Sequence, residues 1–256
     1  MALRIVQISD LHLLTPGALL MDLDVEARFR AVLRAAAEYA PDALFVTGDC
    51  CAHEPVATVY TRMAPLTHEL GVPVHVIPGN HDDRAMLRAA YDLPGQDQEP
   101  IRYARSIGNE VFLFLDTSTG RVDDGQLDWL DAALVEEPNA NIVMHHPPIP
   151  CGVEHMDAKY PLRATERLLE LLTRDGTRRR IFCGHYHASR TVTYRNLEVY
   201  LCPPTSFFID PRGEKFQLHH RPPGFLLLEW PGNGPFRCAD IVVEEGGYNS
   251  SGRLAG

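Results

Sequence analysis

The sequence predicts an α/β protein, and three observations carry that reading. Short apolar runs alternate with amphipathic, helix-like segments over most of the first 183 residues. Beyond residue 181 the signals are strand-only, which suits a second sheet packed on the first. Five of the apolar runs are also followed at once by a cluster of Asp, Asn or His, so polar chemistry is expected along one edge of a sheet.

The elements follow in order. Residues 3–9 read as the first strand. Residues 25–39 read as a helix, with Ala27, Phe29, Val32, Leu33 and Ala36 forming an apolar stripe. Pro41 and Asp42 break it, and residues 43–47 form the next strand. Residues 56–70 give a second helix, closed by Gly71. Another apolar run, 72–77, leads to a helix over 82–91. Residues 101–104 and 111–115 look like strands without a long helix between them, and residues 126–134 and 164–172 like helices. Further apolar runs fall at 141–144 and 181–183. Two hairpins end the pattern: 191–195 with 197–201 around Asn196, and 225–230 with 236–243 turned by Pro231-Gly232-Asn233-Gly234. Residues 246–256, rich in Gly and Ser, are expected to be a loose tail. There is no internal repeat or long linker, so residues 1–245 are expected to form a single domain, with 202–245 supplying the C-terminal strands.

Bulk properties narrow the function classes. The chain has 256 residues, 45% of them hydrophobic and 23% charged, as in ordinary globular proteins. A chain this long should bury roughly three quarters of its unfolded surface and needs no disulfide staples. The formal net charge of -10 disfavours long nucleic acids, although a local metal site can still attract one phosphate. No apolar stretch approaches the roughly 20 residues of a membrane-spanning helix. Met1-Ala2-Leu3-Arg4 leads straight into a strand, with no secretory cleavage pattern. The six cysteines include no CxxC pair, and reduced thiols in a cytoplasmic protein are the plainest expectation.

The chemistry sits in the clusters. Asp10-Leu11-His12 follows the first run; in a strand, residues two apart face the same way, so an oxygen and a nitrogen could reach one ion. Gly48-Asp49 follows the second; Gly-Asp is also common turn chemistry, but a carboxylate can bridge two cations. Gly79-Asn80-His81-Asp82 follows the third; Asn80 would be a neutral ligand and His81 a proton donor, or the run is a turn before a helix capped by Asp82 or Asp83. His145 closes the fourth, with His146 expected to orient a neighbour. His185 and His187 flank Tyr186 after the fifth. Each cluster alone has a bland reading, but their coincidence in order does not. Carboxylates and imidazoles on one sheet edge suit two adjacent metal ions, and such a pair suits phosphoryl chemistry.

On these five motifs, which span nearly 180 residues, the chain resembles the calcineurin-like metallophosphoesterases. Within them it is most similar to the bacterial branch containing class III cyclic-nucleotide phosphodiesterases and glycerophosphodiesterases. The resemblance implies a four-layer α/β/β/α sandwich of two mixed sheets. It also implies two divalent or mixed-valence transition-metal ions, drawn from iron, manganese, zinc or cobalt. One ion would be held by Asp10, His12, Asp49 and His187, the other by Asp49, Asn80, His145 and His185, with Asp49 bridging. His81 would act as the acid near the leaving oxygen, beside Asp49, and His146, Asp82, His53 and Tyr186 would support the site or touch substrate. The implied reaction is in-line attack of a metal-bridging hydroxide on a small phosphodiester. Phosphomonoesterase or nuclease activity is the enzymatic rival, and a non-catalytic scaffold a remote one. Cys50 and Cys51 are read as buried small residues beside the site. His155 is read as structural or surface, with a place on the substrate cleft as the lesser alternative, and Phe207-Phe208 as core or interface. Aromatic residues over 202–243 suggest a homo-oligomer, with a dimer favoured.

Overall fold

The computed structural model describes residues 2–244. The strands are β1 (Leu3–Ile8), β2 (Ala43–Thr47), β3 (Val74–Ile77), β4 (Tyr103–Ile107), β5 (Glu110–Leu115), β6 (Asn141–Met144), β7 (Arg179–Cys183), β8 (Arg190–Tyr194), β9 (Leu197–Leu201), β10 (Phe208–Ile209), β11 (Leu218–His219), β12 (Gly224–Trp230) and β13 (Arg237–Val242). The helices are α1 (Val25–Glu38), α2 (Ala57–His68), α3 (Arg84–Tyr91), α4 (Asp124–Glu136), α5 (Glu154–Lys159) and α6 (Glu166–Thr173).

Two mixed sheets stack face to face. The first has the order β13-β12-β1-β2-β3, with β1, β2 and β3 parallel. The second has the order β4-β5-β6-β7-β9-β8, with β5, β6, β7 and β9 parallel. Alternate residues face opposite sides of each strand. Ile5, Phe45, Phe112, Phe114, Val143, Phe182 and Leu228 point into the layer between the sheets and are fully buried. Val6, Ile8, Leu44 and Val46 belong to the cluster that holds Val25, Phe29 and Val32 of α1. Ile142, Met144 and Ile181 share that cluster with Leu130 of α4 and Leu168 and Leu172 of α6. Both faces of the central strands are therefore covered, which is why those runs are mostly apolar. The result is the four-layer α/β/β/α sandwich.

Local chemistry sets several helix starts. Asp24, Asp83 and Asp123 each accept a hydrogen bond from a main-chain N–H three residues on. The cap before α3 is thus Asp83, which frees Asp82 for the site.

Some expectations need correction. The C-terminal hairpins do not build a sheet of their own. β8 and β9 extend the second sheet beside β7, while β12 and β13 extend the first beside β1. Leu226 and Leu228 bury against the inter-sheet layer, which draws β12 alongside β1 rather than into a separate unit. α5 carries no legible stripe, having only Met156 buried, and was not predicted. β4 lies later than expected, at 103–107, because its three central residues are exposed and polar or small. The expected tail, 246–256, lies outside the described residues. Among the described residues no helix is long and apolar enough to cross a membrane.

Candidate metal centre

The clusters meet where β1, β2 and β3 of one sheet and β6 and β7 of the other come to their C-terminal ends. The route differs from the strand alternation expected for Asp10/His12 and His185/His187. All four, with Asp49, have positive φ, at 53°, 47°, 67°, 49° and 52° respectively, in the left-handed region. These residues turn the donors inward rather than alternate along a strand. Such conformations are costly for non-glycine residues and persist only where the surroundings enforce them. Here Asp10 N–H donates to Gly48 O at 3.1 Å and His12 N–H to Asp49 O at 2.9 Å, locking the two loops together. Gly79 and Gly184 are required by close approach. A Cβ at Gly79 would lie 2.2 Å from Asp49 Oδ1, and one at Gly184 1.8 Å from Ser9 Oγ.

Two groups of donors result: Asp10, His12, Asp49 and His187, and His145, His146 and His185, all buried. In the first, the Nε2 atoms of His12 and His187 are 3.0 Å apart, and His187 Nε2 is 3.6 Å from Asp10 Oδ1. His187 Nδ1 is directed at Phe207 O at 2.7 Å, which turns Nε2 inward. His145 Nδ1 is likewise directed at Thr47 O at 2.7 Å, and His185 Nε2 at Tyr160 O at 2.9 Å. Backbone carbonyls thus choose which ring nitrogen of each imidazole faces the centre. Asp49 Oδ2 lies 3.5 Å from His12 Nε2 and 3.3 Å from His145 Nε2, so it touches both groups.

Electrostatics favour the donor form of His12, His185 and Asp49, while His145 is paired with the Asp49 carboxylate. Burial and neighbouring His187 hold His12 well below its ordinary pKa, and burial with His145 pushes His185 down to about 3. Burial opposes ionisation of Asp49, but the charges of His145, His12 and His81 overcome it and hold the carboxyl well below the usual range. Burial also opposes protonation of His145, yet the Asp49 carboxylate pushes it up to about 9. The arrangement fits metal ions. His145 Nε2 is buried without a hydrogen-bond partner despite the nearby carboxylate, and neutral imidazoles and carboxylates are the donors such ions take.

The remaining expected residues are placed as follows. Asn80 and His53 are exposed and line a cavity of about 670 Å³ together with His12, Asp49, His185 and His187. His81 is half-buried on the same cavity; its N–H donates to Asp49 Oδ1 at 3.0 Å and its ring lies 5.1 Å from that of His12. Asp82 accepts from Cys50 N–H, Gly79 N–H and Tyr60 Oη–H, tying the loops after β2 and β3 to α2. Tyr186 is buried in the core, its ring centroid 5.5 Å from that of His185. His146 sits closer than expected: its ring lies 3.9 Å from that of His185, and its Nδ1 meets Thr117 Oγ1 at 2.8 Å. Cys50 and Cys51 are buried, and burial raises both thiols, so they fill space as expected.

Sequence reasoning missed other contributors. Phe207 is buried as expected, but against the site, stacked 4.1 Å from His187. His155 lines the cavity, the lesser of the two readings weighed for it. The carbonyls of Thr47, Tyr160 and Phe207 left no signal, since any residue type supplies a carbonyl.

Known phosphodiesterases are similar to this chain in sequence. A probable cyclic nucleotide phosphodiesterase of Fibrobacter succinogenes is 31% identical over 233 residues, covering 90% of this chain and 91% of its own. The 3',5'-cyclic adenosine monophosphate phosphodiesterase of Pseudomonas aeruginosa is 29% identical, covering 97% and 94% respectively. A glycerophosphodiester phosphodiesterase of Enterobacter lignolyticus is 35% identical over 182 residues, covering 64% and 63%. In fold, the chain is similar to a dimetal phosphatase from Danio rerio, with a TM-score of 0.64 at 15% identity over 94% of this chain and 99% of that one. Residues 3–189, which carry every donor named above, match the calcineurin-like phosphoesterase family, and the chain belongs to it.

Proposed function

We propose that this protein hydrolyses small phosphodiesters of the cyclic-nucleotide or glycerophosphodiester type at a two-metal centre. The observation that carries the reading is the position of Asp49. It is the carboxylate within 3.5 Å of an imidazole from each donor group, as a bridging ligand must be. Asp10, His12, Asp49 and His187 would hold one ion, and Asp49, Asn80, His145 and His185 the other. His146 stands beside the second set, its ring against His185 and its Nδ1 held by Thr117. Bound transition-metal ions would supply Lewis acidity there, bringing water's pKa towards neutrality and offsetting phosphate charge.

The chain's own residues do the rest. The left-handed loops hold the donors in place before substrate arrives, so little reorganisation is needed during reaction. Asp82 fixes the loop that carries Asn80 and His81. His81, on the cavity wall, would give a proton to the leaving alkoxide. The buried thiols and the absence of disulfides among the described residues support a cytoplasmic setting.

The aromatics of 202–243 give less support to a dimer than their sequence suggested. Phe207, Phe208 and Phe225 are buried within one chain, and Trp230 and Phe236 pack on its inter-sheet core. A homodimer is a proposal that light scattering at micromolar concentration tests. The activity is tested by a panel of small diesters and monoesters with Mn²⁺, Co²⁺ or Zn²⁺, alongside elemental analysis. Diester turnover, two ions per chain and loss of activity on chelation are expected. Full activity with at most one ion defeats the two-metal reading, and turnover of monoesters alone defeats the diesterase reading.

A further inference from the structure

The cavity over the donors is not uniformly polar. Eight large apolar side chains are exposed among the described residues, and three of them, Met21, Tyr160 and Phe216, line this one cavity. They come from three separate segments: the loop between β1 and α1, the end of α5, and the loop between β10 and β11. Exposed apolar groups gathered in a concavity mark a small-ligand pocket rather than a flat partner surface.

The wall is tied to the metal centre. Tyr160 gives its carbonyl to His185 Nε2, so the segment bearing its ring also orients a donor. The rings of Phe216 and Phe207 lie 6.2 Å apart, and Phe207 stacks on His187, giving an aromatic path from donor to mouth. His155 bridges the two sides. Its ring lies 5.7 Å from Tyr160 and 6.1 Å from Phe216, while its Nδ1 meets Glu214 O at 3.0 Å. That contact occupies one of the few polar groups on this wall.

We propose that Met21, Tyr160 and Phe216 form a subsite for a planar aromatic group on the alcohol side of the substrate, so that this chain selects cyclic nucleotides over glycerophosphodiesters. The inference rests on the diesterase reading above and sharpens it. A base has a π-face that aromatic side chains can stack on, whatever its hydrogen-bonding edge. A glycerol moiety presents hydroxyls, which lose water against this wall without gaining partners.

The test compares kcat/KM for cyclic AMP and glycerophosphoethanolamine in the Mn²⁺-loaded enzyme, wild type and Phe216→Ala. Phe216 is 47% exposed, so its truncation opens no core cavity. Tyr160→Ala, which keeps the carbonyl to His185, is the second variant. Wild type should prefer cyclic AMP. Each variant should raise KM for it roughly 5- to 150-fold, the loss expected for one base–aromatic stack. The loss should fall on KM rather than kcat, because stacking holds ground and transition states alike. Preference for the glycerophosphodiester, or an unchanged selectivity ratio in both variants, overturns the subsite while leaving the diesterase reading intact. If no diester is turned over, the diesterase reading fails, and calorimetry with AMP and glycerol 3-phosphate still decides the subsite. Tighter AMP binding that weakens in Phe216→Ala supports it; equal affinities for the two end it.

Discussion

Gly79→Ala is the sharpest single test of the site's construction, because it adds one carbon and no charge. The new Cβ would stand 2.2 Å from Asp49 Oδ1 and 2.3 Å from Asp49 N. Real Cβ atoms do not approach heavy atoms closer than about 3.0 Å, so Asp49 must retreat by roughly 0.8 Å. Rotating its side chain cannot relieve the contact with its own main-chain nitrogen, so the loop after β2 must move. That loop carries the carboxylate that contacts both His12 and His145. A misplacement of about 1 Å in a catalytic group can cost roughly 10²-fold in rate. Overpacking should also cost about 1–3 kcal/mol of stability. The assay is kcat on bis-p-nitrophenyl phosphate, with metal content by elemental analysis and stability by urea denaturation. Gly213→Ala is the control, since a Cβ there meets nothing within 4 Å. Activity of Gly79→Ala within threefold of wild type, with both ions bound, would refute the claim that packing at Gly79 positions Asp49.

Asp49→Ala should lower activity by roughly 10²–10³-fold or more and empty both metal positions, while Asn80→Ala should cost on the order of tenfold. Substantial turnover by Asp49→Ala with two ions bound rules out Asp49 as the bridge. His81→Ala should retain its metals and lose roughly 10²–10⁴-fold on alkyl diesters but little on p-nitrophenyl esters, whose leaving group hardly needs a proton. Equal losses on both point instead to phosphate positioning. Stability should depend on pH through His75, whose ring lies among Phe45, Phe114 and Tyr103 and whose pKa is pushed down to about 4 by burial and then by Arg105. A depressed histidine pKa means the unfolded chain binds more protons between about pH 4 and 6.5. Stability is therefore complete above about pH 6.5 and falls towards pH 4, by about 2 kcal/mol once its residual exposure is discounted. Urea denaturation at pH 7 and 5 should show the fall in wild type and a smaller one in His75→Gln; identical slopes would remove His75 as the cause.

What the sequence determined by itself was the order of polar clusters along apolar runs. Strands buried on both faces need continuous apolar residues, and donors can enter only where those runs stop. Asp10, His12, Asp49, His145, His185 and His187 were therefore legible as ends of elements, and the same pattern exposed the α/β class. The tertiary structure decided how those ends meet. Spacing suggested strand alternation, but the donors sit in left-handed turns held by hydrogen bonds between loops far apart in sequence, which no local propensity encodes. It also decided which sheet each C-terminal hairpin joins, because β12 and β9 pair with β1 and β7, strands that no local pattern of the hairpins identifies. The subsite of Met21, Tyr160 and Phe216 lay beyond reach for the same reason. Its members lie on three segments with no common pattern, α5 is too short and polar to announce itself, and exposed apolar residues acquire meaning only once the fold brings them to one cavity.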